Sequence, residues 1–521
     1  MNGTFTRLSY SQRRICPVAP LRMLGAAAAA LLLASCAVGP NFVPPAAPDV
    51  TGYTREPLKS PSTEAGGPRI ARQRFVSGAE IATHWWAAFR SPGLNELIRL
   101  SVENNPTLQS AEAAIKVANF NALAQRGLFF PQVGANYTPL DQQVSNMTTQ
   151  QGPGDPSQTR YTLHTAQLSI GFVPDIWGQN VRAVESLDAL TEQAQFQLEA
   201  AYLTLTANVV TAAIQEASLR GQIAATERII RIERDILGIL KNQLDAGQAA
   251  RVDVLSQETA LAQSEQTLPP LQKQLAIQRN LLTALAGRFS ADEILQKFNL
   301  QSLALPANLP VSLPSTLVAR RPDVRAAEAN LHSASALIGV AVAARLPNVT
   351  ITGNPGASAF KLAELLTPGT VFYTVAGSAT QTVFDGFTLY RRQKAAEATL
   401  DEAGALYRQT VITAVQNVAD ALRSLQADAR SVQAAIKAEE TAKASLEIVQ
   451  QQLVLGQVNQ VNVLTAQQAY LNAAITRVQA VATRLADTAA LFMALGGSWP
   501  VECRTTDWRR CIFDAGQASK T

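Results

Sequence analysis

The side chains that most often carry chemistry are few and scattered in this chain. Its three histidines, His84, His164 and His332, lie far apart in sequence, and none belongs to a paired-histidine metal helix. There is no Gly-x-Ser-x-Gly elbow, no phosphate-cradling glycine loop and no paired Cys-x-x-Cys. Each histidine therefore reads as a surface or interface residue, and the helical carboxylates read as solvated faces with salt-bridge spacing. Neither catalysis, a metal nor a cofactor is expected. What chemistry remains is on cysteine. Cys36 ends an apolar segment, where a thiol can be acylated. Cys503 and Cys511 either form a disulfide in an oxidising compartment or stand as two free thiols in a frayed tail.

Residues 1–35 set the context for Cys36. Arg7, Arg13, Arg14 and Arg22 form a basic start without acids, and Met23 to Leu33 form an apolar core. At about a dozen residues that core is too short to span a bilayer, so residues 1–35 read as a signal peptide. Leu33-Ala34-Ser35-Cys36 resembles the bacterial lipobox, whose cysteine takes acyl chains, palmitate among them, and becomes the new N-terminus. The alternative is an ordinary exported protein with a cysteine there. Ala37 follows rather than Asp, which by the same resemblance directs a lipoprotein to the outer membrane. One acyl chain holds a protein only marginally, so firm attachment needs more chains or embedded protein. Without its leader the chain drops from a formal charge of +4 to 40 basic against 40 acidic residues, which gives no electrostatic reason to expect nucleic acid.

The rest of the chain is organised by a repeat. Pro106, Ala111-Glu112-Ala113, Ala118, Pro131 and Val133 stand opposite Pro322, Ala327-Glu328-Ala329, Ala334, Pro347 and Val349 at one constant offset. Gly247-Gln248 with Val252-Asp253-Val254-Leu255 then matches Gly456-Gln457 with Val461-Asn462-Val463-Leu464, and Ala284-Leu285-Ala286-Gly287 matches Ala494-Leu495-Gly496-Gly497. Helix, hairpin, long helix, turn and return helix are thus written twice.

Between Pro131 and Phe172 the pattern alternates. Ala166, Leu168, Ile170 and Phe172 oppose Thr165, Gln167, Ser169 and Gly171, and a switch of apolar side towards Tyr161 and Leu163 predicts a bulge near His164. In the second copy Val349, Ile351, Val371, Tyr373, Val375 and Ala379 alternate with hydroxyl residues. One face apolar and one hydroxyl-rich suits either a soluble sheet packed on helices or a barrel wall between lipid and a watery lumen. Four strands cannot close a barrel and open edges are forbidden in lipid, so the second reading requires several chains. The long helices carry no internal proline, and ~65 residues would reach roughly 100 Å, which calls for coiled-coil packing. The return helices show heptads at Val254, Leu261, Leu268, Leu275 and Leu282, and at Leu464, Leu471, Val478, Leu485 and Phe492. Pro269-Pro270 should kink or divide the first.

Cys36-Ala37-Val38-Gly39-Pro40-Asn41-Phe42, Trp85-Trp86, Arg321-Pro322-Asp323-Val324, Phe384-Asp385-Gly386 and Ala494-Leu495-Gly496-Gly497 together resemble the TolC family, in its lipidated OprM/NodT-type branch of outer-membrane efflux factors. The resemblance covers residues 36–500. It implies an α+β membrane protein: a homotrimer whose 12-stranded outer-membrane β-barrel, four strands per chain, continues as a long periplasmic α-helical coiled-coil tunnel. The implied division is signal peptide 1–35, lipid-anchored tether and first turns 36–92, repeat 1 over 93–290, linker 291–313, repeat 2 over 314–500 and tail 501–521. The hairpins fall at about 131–174 and 347–385. The implied function is the passive outer-membrane channel of a tripartite efflux pump in a Gram-negative bacterium, working with a periplasmic adaptor and an inner-membrane transporter, often of the resistance–nodulation–division (RND) type. The turns at Gly247, Gln248, Gly456 and Gln457 would be adaptor-docking tips. Asp253 would contribute to an acidic entrance constriction, weakened where the second copy has Asn462. At Phe387 this chain departs from the family's second glycine. The exit duct of a type I protein-secretion system shares the fold, and a periplasmic coiled-coil scaffold outside the membrane is the rival from another class.

Overall fold

A computed structural model of the chain describes residues 37–50, 52–56, 73–79, 81–143, 160–497, 499, 508–509 and 511–512. The expected signal peptide (1–35), Cys36 and Cys503 lie outside these residues. In chain order the strands are β1 (Arg74–Ser77), β2 (Gln132–Gln143), β3 (Arg160–Phe172), β4 (Asn308–Val311), β5 (Asn348–Gly353), β6 (Gly356–Ala359), β7 (Val371–Phe372) and β8 (Val375–Thr380). The helices are α1 (Pro92–Asn104), α2 (Pro106–Arg126), α3 (Gln179–Asp245), α4 (Arg251–Leu285), α5 (Pro314–Arg320), α6 (Pro322–Ala343), α7 (Thr388–Val454) and α8 (Gln460–Ala494). The repeat is matched in length: α3 and α7 have 67 residues each, and the return helices α4 and α8 have 35 each. Among the described residues no helix is long and apolar enough to cross a membrane.

The chain forms two compact units, each drawing on both repeats. Among the described residues the first comprises 37–42, 121–143, 160–187 and 334–399. Its centre is one antiparallel sheet in which β3 pairs β2 on one side and β5 and β6 on the other, with β8 and β7 beyond them. Six assigned strands make four lines, because β5 and β6 keep a single register against β3 (Ile170↔Gly353, Ala166↔Ala357). The break between them falls at Pro355, which has no N–H to give the ladder. Asn354 and Thr374 still exchange backbone bonds across the matching gap, at 2.8 and 3.3 Å. The expected bulge near His164 is absent: β2 and β3 pair without interruption from Gln132↔Gly171 to Gln143↔Arg160. The apolar side switches because the environment of the face changes there, not because the register does. After the second hairpin, Asp385 caps α7 by accepting from Thr388 N (3.1 Å) and Leu389 N (2.8 Å). Phe387 takes the left-handed backbone (φ 67°), a conformation that favours glycine, at a cost of about 1–2 kcal/mol.

Among the described residues the second unit comprises 43–50, 52–56, 73–79, 81–120, 188–333, 400–497, 499, 508–509 and 511–512. Its α8 seam is buried at Leu471, Val478, Leu485 and Phe492; in α4 only the ends of the heptad, Val254 and Leu282, are buried. Pro269 and Pro270 lie inside an undivided α4. Both are on its exposed side, where water can satisfy the carbonyls that the prolines leave free. Each repeat ties its return helix back to the residue before its first proline. Asn105 Nδ2 donates to Leu285 O (3.1 Å), and Arg321 Nη1 donates to Ala494 O (2.7 Å) while its other nitrogens grip Asp323. Trp85 stacks on Phe492 at 5.5 Å, and Tyr202 meets both Trp499 and Trp508 edge-on. The described part of the tail is therefore packed, contrary to a frayed end: Trp508 Nε1 donates to Glu112 (2.6 Å), Ile512 is buried and Cys511 is disulfide-bonded.

Candidate functional site: the two-faced sheet and the helix tips

Residues directly opposite in an antiparallel ladder share a face, and neighbours along a strand alternate. The observed register therefore assigns every position. One face carries Val133, Ala135 and Tyr137 of β2, Ala166, Leu168, Ile170 and Phe172 of β3, Val349, Ile351 and Gly353 of β5, and Val375, Gly377 and Ala379 of β8. The other carries Asn136 and Thr138, Thr165, Gln167 and Ser169, Asn348, Thr350 and Thr352, and Ser378 and Thr380. No polar side chain interrupts the first set. From Ala166 to Phe172 it spans roughly 20 Å of strand, or about 15 Å of height at the usual barrel tilt, the larger part of the apolar band of about 25 Å on an outer-membrane barrel. The band ends at Tyr137, whose hydroxyl meets His164 Nδ1 at 2.9 Å, and an Asp141–Arg160 ion pair (2.7 Å) lies beyond it on the same face. His164 is thus a boundary residue of the apolar band. Among the described residues, no strand covers the outer edge of either outermost line of the sheet.

The tips are closed identically. Gly247 (φ 72°) donates to Leu244 O at 2.9 Å and Gln248 to Gln243 O at 2.7 Å; Gly456 (φ 69°) donates to Leu453 O at 3.0 Å and Gln457 to Gln452 O at 2.8 Å. These are Schellman caps, which need a left-handed residue and so favour glycine. Nothing lies within 4 Å of where a Cβ would stand on either glycine. Asp253 and Asn462 occupy the same third position of their return helices. There the Asp253 carboxylate faces the positive helix end favourably, and the Asn462 N–H is held by the Asn459 side chain at 3.2 Å.

Above the tips the structure holds a buried polar layer that the sequence reading missed. Glu233 of α3 is only 4% exposed. Ser264 Oγ donates to its carboxylate (3.0 Å), Gln257 Nε2 to its backbone carbonyl (3.1 Å), and Gln460 Nε2 to Gln257 Oε1 (2.5 Å), which links the two return helices. Helix carboxylates were expected on solvated faces, yet Glu199, Glu216 and Glu233 are all buried. Partners on neighbouring helices make this tolerable for Glu216 and Glu233. Burial pushes the Glu233 carboxyl up to about 7; the Ser264 bond works against that shift and nearby Glu265 adds to it. A carboxyl raised in the fold contributes its stability in full below the unfolded value of 4.5 and loses it as pH rises through about 7. Glu233→Gln should leave thermal stability unchanged at pH 4.5 and raise it at pH 8 by on the order of 1 kcal/mol. An equal effect at both pH values would show that folding does not raise the Glu233 carboxyl.

Among the described residues no group of three His, Cys, Asp or Glu side chains is placed to hold a metal ion. A sheet with one face suited to lipid and one to water, joined in one chain to two pairs of very long helices, is the build of a membrane channel subunit. The family model for outer membrane efflux proteins matches residues 97–288 and 313–497. The chain is 26% identical over 422 residues (81% of this chain, 89% of the relative) to the pyoverdine export outer membrane protein OpmQ of Pseudomonas putida. It is 25% identical over 478 residues (91% and 93%) to nodulation protein T of Rhizobium leguminosarum bv. viciae. Its fold matches the outer-membrane channel OprN with a TM-score of 0.77 at 24% identity, covering 89% of this chain and 100% of that one. The match to the CmeC outer membrane channel of Campylobacter jejuni has a TM-score of 0.79 at 19% identity, covering 92% and 98%.

The chain belongs to the outer membrane efflux protein family. It is an outer-membrane channel component of an efflux system.

Proposed function

We propose that three copies join the free edge of β2 to that of β8 in the next copy, closing a twelve-stranded barrel that conducts small molecules passively out of the periplasm. The observation that carries this reading is the unbroken apolar band from Val133 to Tyr137 and from Ala166 to Phe172, backed by a hydroxyl- and amide-rich face, in a sheet whose two outer edges no described strand covers. Lipid tolerates no unpaired edge, and four strands leave no room for a lumen. The Gly247-Gln248 and Gly456-Gln457 tips receive a periplasmic adaptor, which links the duct to an inner-membrane transporter of the RND type. Three copies of Asp253 and Asn462 ring the entrance. Acyl chains on Cys36 anchor the mature chain, Cys511 pairs with Cys503, and the protein is neither an enzyme nor a nucleic-acid binder. Relatives that are named for toluene efflux and for pyoverdine export support a small-molecule cargo; the fold by itself also suits a type I secretion duct.

Gly247→Val and Gly456→Val test the docking role. Each forces a β-branched residue into the left-handed backbone at a cost of about 1–2 kcal/mol, far below what holds the bundle. Trimers should persist on native gels while cells that depend on the duct accumulate its cargo as a deletion strain does. Normal efflux in both variants would refute docking at the tips.

A further inference from the structure

The residues that follow Cys36 are built into the first unit rather than hanging from it. The Val38 N–H donates to the Trp177 carbonyl at 3.1 Å. Arg182, only 4% exposed, donates from Nε to the Val38 carbonyl (3.2 Å) and from Nη2 to the Gly39 carbonyl (3.4 Å) and to Asn41 Oδ1 (2.7 Å). Its Nη1 is held by Glu185 at 2.7 Å, which fixes the guanidinium. Backbones also meet closely here. A Cβ on Gly178 (φ 72°) would stand 2.6 Å from Ala37 Cα, and one on Gly339 would stand 2.7 Å from the Val38 carbonyl oxygen. A Cβ on Gly39 (φ 97°) would collide with the Gly339 backbone. Three glycines from the N-terminal segment, the turn after β3 and helix α6 are thus required at one contact. A free tether would require none of them.

We propose that Trp177, Gly178, Arg182 and Gly339 form a socket for the first residues of the mature chain, which fixes an acylated Cys36 at the foot of the apolar sheet face. The socket lies at the ends of strands that enter that face: Trp177 follows β3, and its Nε1 donates to the Pro347 carbonyl just before β5 (2.7 Å). Cys36 is one residue, ~4 Å, from Ala37. Acyl chains on Cys36 would therefore start about one residue from the turn after β3, at the end of the sheet where β3 finishes and β5 begins. Holding them there removes the entropy that a long linker would lose on insertion. Arg182 is the natural choice because a buried guanidinium, already paired with one carboxylate, can serve several carbonyls at once.

This inference rests on the reading that Cys36 is acylated, and the test keeps the two apart. Wild type, Cys36→Ser, Arg182→Ala and Gly39→Val would be expressed in full length, labelled with palmitate, and followed by hydrogen exchange at the Val38 amide. Gly39→Val alters only the segment, so the folding of the sheet is not at stake. Label in every chain except Cys36→Ser is expected. Val38 should exchange slowly in wild type and Cys36→Ser, and at least 100-fold faster in the other two. Unlabelled wild type would end the acylation reading and leave the docked segment standing. Label together with a Val38 amide that exchanges freely in wild type, or equally slowly in Gly39→Val, would overturn the socket.

Discussion

Arginine in place of Leu168 should remove the protein from the outer membrane, whereas arginine in place of its neighbour Gln167 should leave it there. Leu168 lies in the middle of the apolar face, opposite Ala135, and Gln167 lies on the other face, opposite Asn136. An arginine on the lipid side near the bilayer centre costs about 2–4 kcal/mol, so a barrel of three chains carries roughly 6–12 kcal/mol. That is as much as the whole stability of many domains. On the polar face the same side chain meets water and costs little. Membrane fractionation and heat-sensitive trimer bands on gels should show the Leu168 variant as aggregate or periplasmic debris and the Gln167 variant at normal abundance. The Gln167 variant should also pass anions more readily in planar bilayers, because three new positive charges would line the pore. Equal insertion of both variants would mean that the two faces are not lipid and lumen, and the channel reading would fall with it.

That contrast was legible in the sequence because period-two alternation needs no knowledge of partners. The repeat was equally legible, down to the paired tips, since Gly247 and Gly456 sit between long uninterrupted helices and only a glycine turn reverses such a chain cheaply. What could not be read depends on residues brought together from afar. The side switch at Tyr161 and Leu163 looked like a bulge, because a single strand cannot distinguish an extra residue from the end of the apolar band; the register of β2 against β3 decides it. Glu216 and Glu233 resemble any other acid on an Ala-rich helix until Arg279 and Ser264 arrive from α4. The socket was least visible of all. Gly39, Gly178 and Gly339 each read as a loop or helix glycine, and only their mutual contact shows why no side chain fits. Its one signal was the Cys36 to Phe42 motif, which the sequence reading treated as an anchor followed by an extended tether. Ala37 to Asn41 is not a free tether, because Arg182 holds the Val38 and Gly39 carbonyls and the Asn41 side chain.

Arg279→Met should be among the most damaging single changes in the helical unit, at a loss of about 3–5 kcal/mol. Arg279 of α4 donates from Nη1 to Glu216 of α3 (2.9 Å) and to the Gln296 carbonyl (3.1 Å), from Nη2 to the Ile294 carbonyl (2.7 Å), and from Nε to Glu293. It therefore fastens three things together: the long helix, the return helix and the segment that leaves it. Glu216 is wholly buried, and it also pairs with Arg220, one turn away at 2.7 Å. Methionine would fill the space left by the guanidinium's stem but leave a buried carboxylate short of a donor and two carbonyls unpaired. The loss should be mostly desolvation rather than attraction, and that distinction can be measured. If so, pairing Arg279→Met with Glu216→Leu should recover at least half of the lost stability, since removing both charges costs less than leaving the buried carboxylate to Arg220 alone. Denaturant unfolding of the four members of the cycle, monitored by helical circular dichroism, reads the coupling directly. Additive losses would mean that the two residues act independently and that the cluster does not couple α3 to α4.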